Sequence, residues 1–146
     1  MARNDLTFFN EALAKMVEGN WASTDTIKCA ICDNTSTPSA STATPTLGDF
    51  TEVGTAGTYV AGGTSLGTIA DCVTQTSNVM TFDSSTNPSW AQHASNDTDA
   101  YWAIIYNDTS ASNDAICFLD LGGPVNMTAG ALSITWNASG IFTITA

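Results

Sequence analysis

The stretch from Tyr101 to Ser110 reads Tyr-Trp-Ala-Ile-Ile-Tyr-Asn-Asp-Thr-Ser and decides the fold class, because an apolar run of strand length ends in turn-forming residues. Two later runs repeat this arrangement: Ala115-Ile-Cys-Phe-Leu-Asp-Leu-Gly-Gly and Leu132-Ser-Ile-Thr-Trp-Asn-Ala-Ser-Gly-Ile-Phe-Thr-Ile. Consecutive short strands separated by Asn, Asp, Gly or Ser are typical of β-sandwiches. The sequence therefore predicts an all-β, antiparallel β-sandwich of jelly-roll or immunoglobulin-like type.

The same pattern extends toward both ends of the chain. The length of 146 residues fits one domain, and we expect a single β-sandwich domain over residues 20–146. The Ser/Thr/Pro-rich segment 34–48 predicts an irregular loop. The predicted strands cover residues 26–33, 64–73, 78–83, 100–107, 114–121, 131–136 and 141–145.

Residues 5–18 predict the one helix, within an N-terminal amphipathic helix or arm over residues 1–19. Asn4 or Asp5 can cap its start and Gly19 can end it. Apolar residues recur near helical spacing at Leu6, Phe9, Leu13, Met16 and Val17.

The apolar face of this predicted helix is wider than one stripe, because Phe8 adds to it. Two hypotheses stay open: the helix packs on its own sandwich, or it docks on a neighbouring subunit. For the second hypothesis, the predicted interface residues are Leu6, Phe8, Phe9, Leu13 and Met16.

The charge balance excludes several classes of partner. Three basic and fourteen acidic residues give a net charge of −11, and only 12% of the residues are charged. A chain this acidic repels phosphate backbones and anionic membranes, so we expect no nucleic-acid or membrane partner. No apolar stretch approaches the roughly 20 residues of a membrane span, and the N-terminus lacks the pattern of a signal peptide. We expect synthesis in a cytoplasm.

Four cysteines occur, two of them in the Cys-x-x-Cys segment Cys29 to Cys32. A redox pair or half of a zinc site is one reading of this motif. Zinc needs further ligands, however, and Cys72 and Cys117 stand apart in the sequence. A redox motif should begin a helix, whereas this segment predicts a strand. We interpret all four as buried thiols, with no metal and no cofactor.

The remaining candidate sites favour structural interpretations. His93, the only histidine, lies in a polar, turn-like segment, which predicts a solvated side chain and no catalytic role. Asp97 and Asp99 are typical turn formers, with calcium binding as the alternative. Gly62-Gly63 predicts a turn or a close approach between backbones. The aromatic residues that fit core or interface positions, or alternatively sugar stacking, are Trp21, Trp90, Tyr101, Trp102, Tyr106 and Trp136.

The order of several segments resembles a family of small structural proteins of tailed bacteriophages. Thr7-Phe-Phe-Asn-Glu-Ala-Leu-Ala is followed by Asp25-Thr-Ile-Lys-Cys-Ala-Ile-Cys-Asp-Asn-Thr-Ser-Thr-Pro, where the family often has apolar residues in place of the two cysteines. The later segments are Tyr59-Val-Ala-Gly-Gly-Thr-Ser-Leu, Trp90-Ala, Tyr101-Trp-Ala-Ile-Ile-Tyr-Asn-Asp-Thr, Cys117-Phe-Leu-Asp-Leu-Gly-Gly and Ile134-Thr-Trp-Asn-Ala-Ser-Gly-Ile-Phe-Thr-Ile.

The resemblance implies a virion protein made in the host cytoplasm and without enzymatic activity. Its first implied role is capsid decoration (cement), in which the partners are the major capsid protein or other virion proteins and sister copies, for example in a trimer. The alternative is a tail or fibre module that binds host-surface glycan. No catalytic residue is implied.

Overall fold

The computed structural model describes residues 6–146. Short β-strands dominate, and of the two helices only the first exceeds one turn. In chain order, the elements are β1 Leu6–Phe8, α1 Asn10–Glu18, β2 Thr26–Cys32, β3 Thr64–Thr68, α2 Ile69–Cys72, β4 Val73–Thr76, β5 Val79–Phe82, β6 Ser89–Trp90, β7 Ala100–Asn107, β8 Ala115–Val125, β9 Leu132–Ser133 and β10 Phe142–Thr145.

The strands form one large sheet and two small ones. The large sheet has the order β1-β8-β7-β2-β3, the second has the order β10-β5-β4, and β6 pairs with β9. Every pairing among the described strands is antiparallel. The predicted all-β antiparallel fold is therefore confirmed and is compatible with a β-sandwich. The choice between jelly-roll and immunoglobulin-like connectivity stays a prediction.

The core lies on both faces of the large sheet. In its central strands, consecutive residues are buried over Cys29–Cys32 of β2, Trp102–Asn107 of β7 and Ala115–Leu119 of β8, and not only alternate ones. This is the pattern of a sheet covered on both sides. Phe142 of β10 contacts Phe8 of β1, with ring centroids 4.4 Å apart. Phe118 of β8 contacts Phe9, with centroids 5.0 Å apart. Aromatic packing thus ties the N-terminal residues to the centre of the domain.

The N-terminal segment differs from the predicted helix over residues 5–18. Leu6–Phe8 form a strand that pairs with β8, and the helix begins only at Asn10. Phe9 occupies the cap position in extended conformation without a side-chain capping bond. The proposed caps Asn4 and Asp5 lie outside the described residues. Leu6 and Phe8 are two residues apart, which fits the alternation of a strand as well as the wide apolar face of a helix. The strand forms because the edge of β8 offers backbone groups that pair with Leu6–Phe8.

The end of α1 is as predicted. Gly19 adopts a left-handed conformation with φ of 70°, and its N–H donates to the carbonyl oxygens of the last turn. A left-handed residue at this position ends a helix at little cost when it is glycine. The position of Gly19 in the sequence therefore determines where α1 ends.

The predicted strand over 64–73 is interrupted by one helical turn, α2. Thr68 accepts a hydrogen bond from the Asp71 N–H, and the Asp71 carboxylate accepts one from the Thr68 N–H. This capping box satisfies two backbone donors and begins a helix. The motif Thr68-x-x-Asp71 therefore indicates the start of a helix, but the surrounding residues also fit a strand, which was the predicted element. The chain then resumes as β4, and β4, β1 and β6 are strands that the sequence did not predict.

The long segment between β2 and β3 covers one end of the large sheet. It contains the predicted loop 34–48 and a short 3-10 turn at Leu47–Asp49. The Val53 N–H donates to the Ile31 carbonyl at 3.0 Å, and the Ile31 N–H donates to the Tyr59 hydroxyl at 3.1 Å. Side-chain and loop groups thus replace a strand partner at the end of β2.

Gly63 makes the close backbone approach predicted for Gly62-Gly63. Its φ is 70°, and a Cβ placed on it would lie 1.9 Å from the Cys29 carbonyl oxygen. Only glycine fits such a position without displacing β2. The residue therefore lets the chain enter β3 against the backbone of β2.

Candidate interaction surface

The predicted interface residues do not share one surface. Phe9 is fully buried between Phe50 and Phe118, with centroids 5.8 and 5.0 Å away. Leu6 and Phe8 are half-buried on β1. Of the five predicted residues, only Leu13 and Met16 lie on the helix. The inclusion of Phe9 is corrected, because its ring belongs to the domain's own core.

The outward side of α1 carries two exposed aliphatic residues. Leu13 is 42% exposed and Val17 is 89% exposed. They are four positions apart, so their side chains are neighbours along one helix face. We call this pair the α1 ridge. Ala12 alone is buried within the helix, so the domain covers only one margin of the apolar face and leaves the ridge in solvent.

Beside α1 lies an apolar groove with a volume of about 140 Å³. Val73, Phe82 and Phe142 form one row across the small sheet, because Val73 and Phe142 both pair with Phe82. Met16 and Trp21 approach from the helix side. The α1 groove is lined by Met16, Trp21, Ile69, Val73, Phe82, Ile116 and Phe142. It has the dimensions of a site for a single apolar side chain.

Two larger cavities have a different character. One, of about 610 Å³, lies between β1, the end of β8 and the segment 131–141. The other, of about 600 Å³, lies between α1 and the loop that joins β7 to β8, and it is lined mainly by polar residues. An ion pair between Lys15 and Asp114 lies in this second cavity. Neither cavity brings together groups that point to a chemical reaction.

The two lysines are both engaged in ion pairs. The Lys15 ammonium lies 2.6 Å from an Asp114 carboxylate oxygen and 3.9 Å from one of Glu11. The Lys28 ammonium lies 2.8 Å from Asp108. Within residues 6–146, no cation is therefore left to balance the remaining carboxylates. The surface that surrounds the α1 ridge is accordingly acidic.

The cysteines are buried in separate environments, as predicted. Cys29 and Cys32 are both fully buried on β2, and a separation of three residues on a strand directs their side chains to opposite faces. Cys29 shares a face with Cys117, but β7 lies between them. Burial raises the pKa of the Cys29 thiol to about 12. The strand geometry thus does not bring Cys29 and Cys32 together as a redox pair or as two ligands of one zinc ion.

Replacing Cys29 and Cys32 together by valine should leave the fold intact. Each exchange keeps a small apolar side chain on a strand, and such swaps usually cost less than about 1.5 kcal/mol. Urea unfolding of the double variant measures the change in stability. Metal analysis of the purified wild-type protein is the companion measurement, and stoichiometric zinc that the double variant lacks would contradict the structural interpretation.

His93, Asp97 and Asp99 occupy a surface turn. His93 is exposed, and its Nδ1 accepts a hydrogen bond from the Ser95 N–H at 3.1 Å. The pKa of Asp97 is lowered because its carboxylate accepts hydrogen bonds from the Gly54 N–H and from the Asp99 carboxyl group. The pKa of Asp99 is raised, because its carboxyl group shares that hydrogen bond with Asp97. In the part of the chain that the structure describes, no three His, Cys, Asp or Glu side chains are grouped to hold a metal ion.

Half of the six aromatic residues considered for sugar stacking are buried. Trp90 is 5% exposed, Trp102 is 8% exposed and Tyr106 is 1% exposed. The other three, Trp21, Tyr101 and Trp136, are half-buried. The large apolar side chains exposed on the described surface are all aliphatic: Leu13, Val17, Val60 and Ile144. The surface therefore favours apolar contact over ring stacking.

Asn96 shows how a polar residue fixes the Gly-rich segment. Its side-chain oxygen accepts a hydrogen bond from the Thr58 N–H at 2.7 Å, and its amide donates to the carbonyls of Ala91 and Met127. Gly57 lies against it, since a Cβ there would be 2.0 Å from the Asn96 oxygen. Asn96 thus joins the segment around Gly57 to the backbone at Ala91 and Met127.

The α1 groove was not predicted from the sequence. Its residues come from α1, the turn that follows it, α2, β4, β5, β8 and β10, so no local motif marks it. Met16 was the one groove residue among the predicted interface positions. The pairing of β4, β5 and β10 would have been the necessary signal, and beyond Val73 no strand was predicted where β4 lies.

Comparison with family models, curated proteins and solved structures gives no match to this chain. In residues 6–146, neither helix has the length and hydropathy needed to span a bilayer. The candidate surface therefore rests on the geometry of the α1 ridge and the α1 groove.

Proposed function

We propose that this chain is a non-enzymatic structural protein of a bacteriophage virion and decorates the outer capsid shell. Attachment would use the α1 ridge, together with contacts between neighbouring copies. The major capsid protein is the proposed partner. The acidic remainder of the surface would face solvent, where its charge opposes aggregation of particles.

The observation that carries this proposal is the exposure of Val17 and Leu13 on a helix anchored to the core. Phe9 at the start of α1 and Ala12 within it are both buried in the core, and they hold the helix on the domain. A rigidly held apolar ridge loses little conformational freedom on binding, which favours adhesion. The segment order that resembles tailed-phage structural proteins supports the choice of a capsid shell as the partner.

The alternative of a tail or fibre module that binds host glycan has less support from the geometry. Sugar-binding surfaces of that kind need exposed aromatic rings. Trp90 and Trp102 are buried, and the Trp102 indole N–H donates to Asn34 at 3.2 Å. The large apolar side chains exposed on the described surface are aliphatic, which suits contact with a protein better than stacking on a sugar ring.

Replacing Leu13 and Val17 together by glutamate should weaken attachment to undecorated shells at least about 100-fold. Burial of each side chain contributes about 1.5–3 kcal/mol, and glutamate preserves helix propensity. Co-sedimentation of the purified protein with undecorated shells of the phage that encodes it measures the loss.

The matched control replaces Val60 and Ile144, the exposed aliphatic residues outside α1, by glutamate. It removes two exposed apolar side chains and adds the same two negative charges, and it should bind like the wild type. Equal loss in both double variants would assign the effect to charge and contradict the role of the ridge. Binding of the wild-type protein to host-surface glycans, with no affinity for shells, would favour the fibre alternative.

A further inference from the structure

We propose that Asp114 is the positioning residue for the α1 ridge, because its carboxylate holds the C-terminal half of α1 against the loop that joins β7 to β8. We call this carboxylate and its two hydrogen-bond donors, Lys15 and Trp21, the Asp114 latch. The inference deepens the proposed function and rests on it for the use of the ridge in attachment. The position of the helix follows from the contacts of α1 alone.

The C-terminal half of α1 makes few apolar contacts with the domain. Ala12 is the one buried residue within the nine residues of the helix, and the buried Phe9 precedes it. After Ala12, only Lys15 and Met16 are half-buried, and the other helical residues are exposed. Isolated helices shorter than about 12–15 residues are marginal in water. The end of the helix therefore needs polar contacts to stay in place on the domain.

One carboxylate supplies two such contacts, on either side of Val17 in the sequence. An Asp114 oxygen accepts a hydrogen bond from the Lys15 ammonium at 2.6 Å, and the other oxygen accepts one from the Trp21 indole N–H at 3.0 Å. Lys15 lies in the last turn of α1, and Trp21 lies two residues after Gly19. The end of the helix is thus held at two points, with the most exposed residue of the ridge between them.

Asp114 is itself held by the loop between β7 and β8. Its N–H donates to the Ser110 hydroxyl at 2.8 Å, and its carbonyl oxygen accepts a hydrogen bond from the Asn107 N–H at 2.9 Å. Asn107 is fully buried at the end of β7, and its side-chain oxygen accepts hydrogen bonds from the N–H groups of Thr109 and Ser110. These bonds close the loop, so it gives the latch a fixed support on the large sheet.

The negative charge of Asp114 is stabilised in the folded protein. Burial by itself would raise the pKa of this carboxyl group, but hydrogen bonds from Lys15 and Trp21 outweigh burial, and the pKa is lowered. Glu11 faces the same ammonium at 3.9 Å, and Glu18 lines the same polar cavity. With a lowered pKa, the pairing contributes stability above the ordinary value of about 3.9 and loses it as the pH falls through the lowered value. The latch is therefore closed at neutral pH.

Replacing Asp114 by asparagine breaks the latch with little change in shape. An asparagine side chain has one oxygen, so it accepts a hydrogen bond from Lys15 or from Trp21, and its amide group faces the other donor. The Lys15 and Asp114 side chains are 23% and 12% exposed, so the lysine loses its closest counter-charge in a partly buried place. We expect the C-terminal half of α1 to leave its position in most molecules. The affinity of the ridge then falls in proportion to the fraction of molecules that keep the helix in place.

The experiment measures the helix and the attachment separately in the full-length protein. Native-state hydrogen exchange followed by NMR should show that the amides of residues 15–18 lose their protection in Asp114→Asn, while the Ile104 amide of β7 keeps it. Co-sedimentation with undecorated shells should show attachment weakened at least about tenfold, which corresponds to a correctly placed fraction of about 10% or less. Urea unfolding checks that the variant is folded as a whole.

The matched control is Asp108→Asn. Asp108 lies in the same loop and pairs with Lys28 at 2.8 Å, so this variant removes the same charge and the same kind of ion pair away from α1. It should change neither the exchange of α1 nor the attachment. Lys15→Arg keeps a cation for Asp114 and should behave like the wild type, whereas Lys15→Met removes the cation, preserves helix propensity and should weaken attachment.

Each outcome decides the inference. Unchanged protection of α1 in Asp114→Asn would overturn the latch, and lost protection with unchanged attachment would overturn its role in positioning the ridge. Equal losses in Asp108→Asn would assign the effect to charge alone and overturn the inference as well. If Asp114→Asn does not fold, the comparison of Lys15→Met with Lys15→Arg replaces it, and equal behaviour of those two would overturn the latch. A wild-type protein that does not attach to shells would overturn the proposed function alone, because the exchange measurement still decides whether Asp114 holds the helix.

Discussion

Replacing Phe9 by alanine is expected to lower the free energy of unfolding by about 3–5 kcal/mol. The ring is fully buried and contacts both Phe50 and Phe118. Its removal leaves a cavity between the N-terminal segment, the loop after β2 and the centre of β8. Domains of this size are stable by only about 5–15 kcal/mol, so the loss is a large fraction of the total. Urea unfolding monitored by tryptophan fluorescence measures it.

Leu13→Ala provides the matched control for Phe9→Ala. Leu13 lies on the same segment but is 42% exposed, and surface substitutions of this kind usually change stability by no more than about 0.5 kcal/mol. A loss below about 1 kcal/mol for Phe9→Ala would contradict the assignment of Phe9 to the core. It would restore the hypothesis that the whole N-terminal segment is a docking arm.

Replacing Gly63 by alanine should destabilise the protein by about 3 kcal/mol or more, because two costs combine. The residue has a φ of 70°, and the new Cβ would lie 1.9 Å from the Cys29 carbonyl oxygen and 2.7 Å from the Ala30 Cα. Both contacts are to the backbone of a central strand, which cannot move aside without breaking its pairing with β7. Thermal and urea unfolding give the measured loss.

Two further glycines distinguish the cost of the left-handed backbone from the cost of the steric clash with β2. Gly19 has the same φ of 70° but nothing within 4 Å of its added Cβ, so Gly19→Ala should cost only the left-handed conformation, about 1–2 kcal/mol. Gly130 has free space around it, and its replacement should be nearly neutral. Equal effects at Gly63 and Gly19 would mean that the close approach to β2 contributes nothing.

Sequence patterns predicted the strands that are apolar throughout. β7 was predicted over its observed bounds, because seven consecutive apolar or aromatic residues bounded by turn formers leave few alternatives. β1 was missed, since three residues carry too little periodicity to distinguish a strand from the first turn of a helix. The short helix α2 was concealed for a different reason: the Thr68–Asp71 capping box lies within a run that also fits a strand.

The candidate surface could be predicted only in part. Exposure of Leu13 fits one of the two hypotheses left open for the wide apolar face of the helix, and the sequence alone did not choose between them. Burial of Phe9 depends on Phe50 and Phe118, which lie far along the chain and which no local pattern pairs with it. The α1 groove requires the pairing of β10 with β5, and such long-range pairings are not encoded in any short window of sequence.

The pairing of β1 with β8 has a consequence for the order of events during synthesis. Leu6 aligns with Leu119, and the site for the Phe9 ring is completed only by Phe118. Ribosomes add roughly 5–20 residues per second, so the first strand emerges on the order of 5–20 seconds before its partner exists. Throughout that interval Leu6, Phe8 and Phe9 have no native site to occupy. These three apolar side chains therefore lack their packing partners until the last third of the domain has been made, and only then can the sheet close around them.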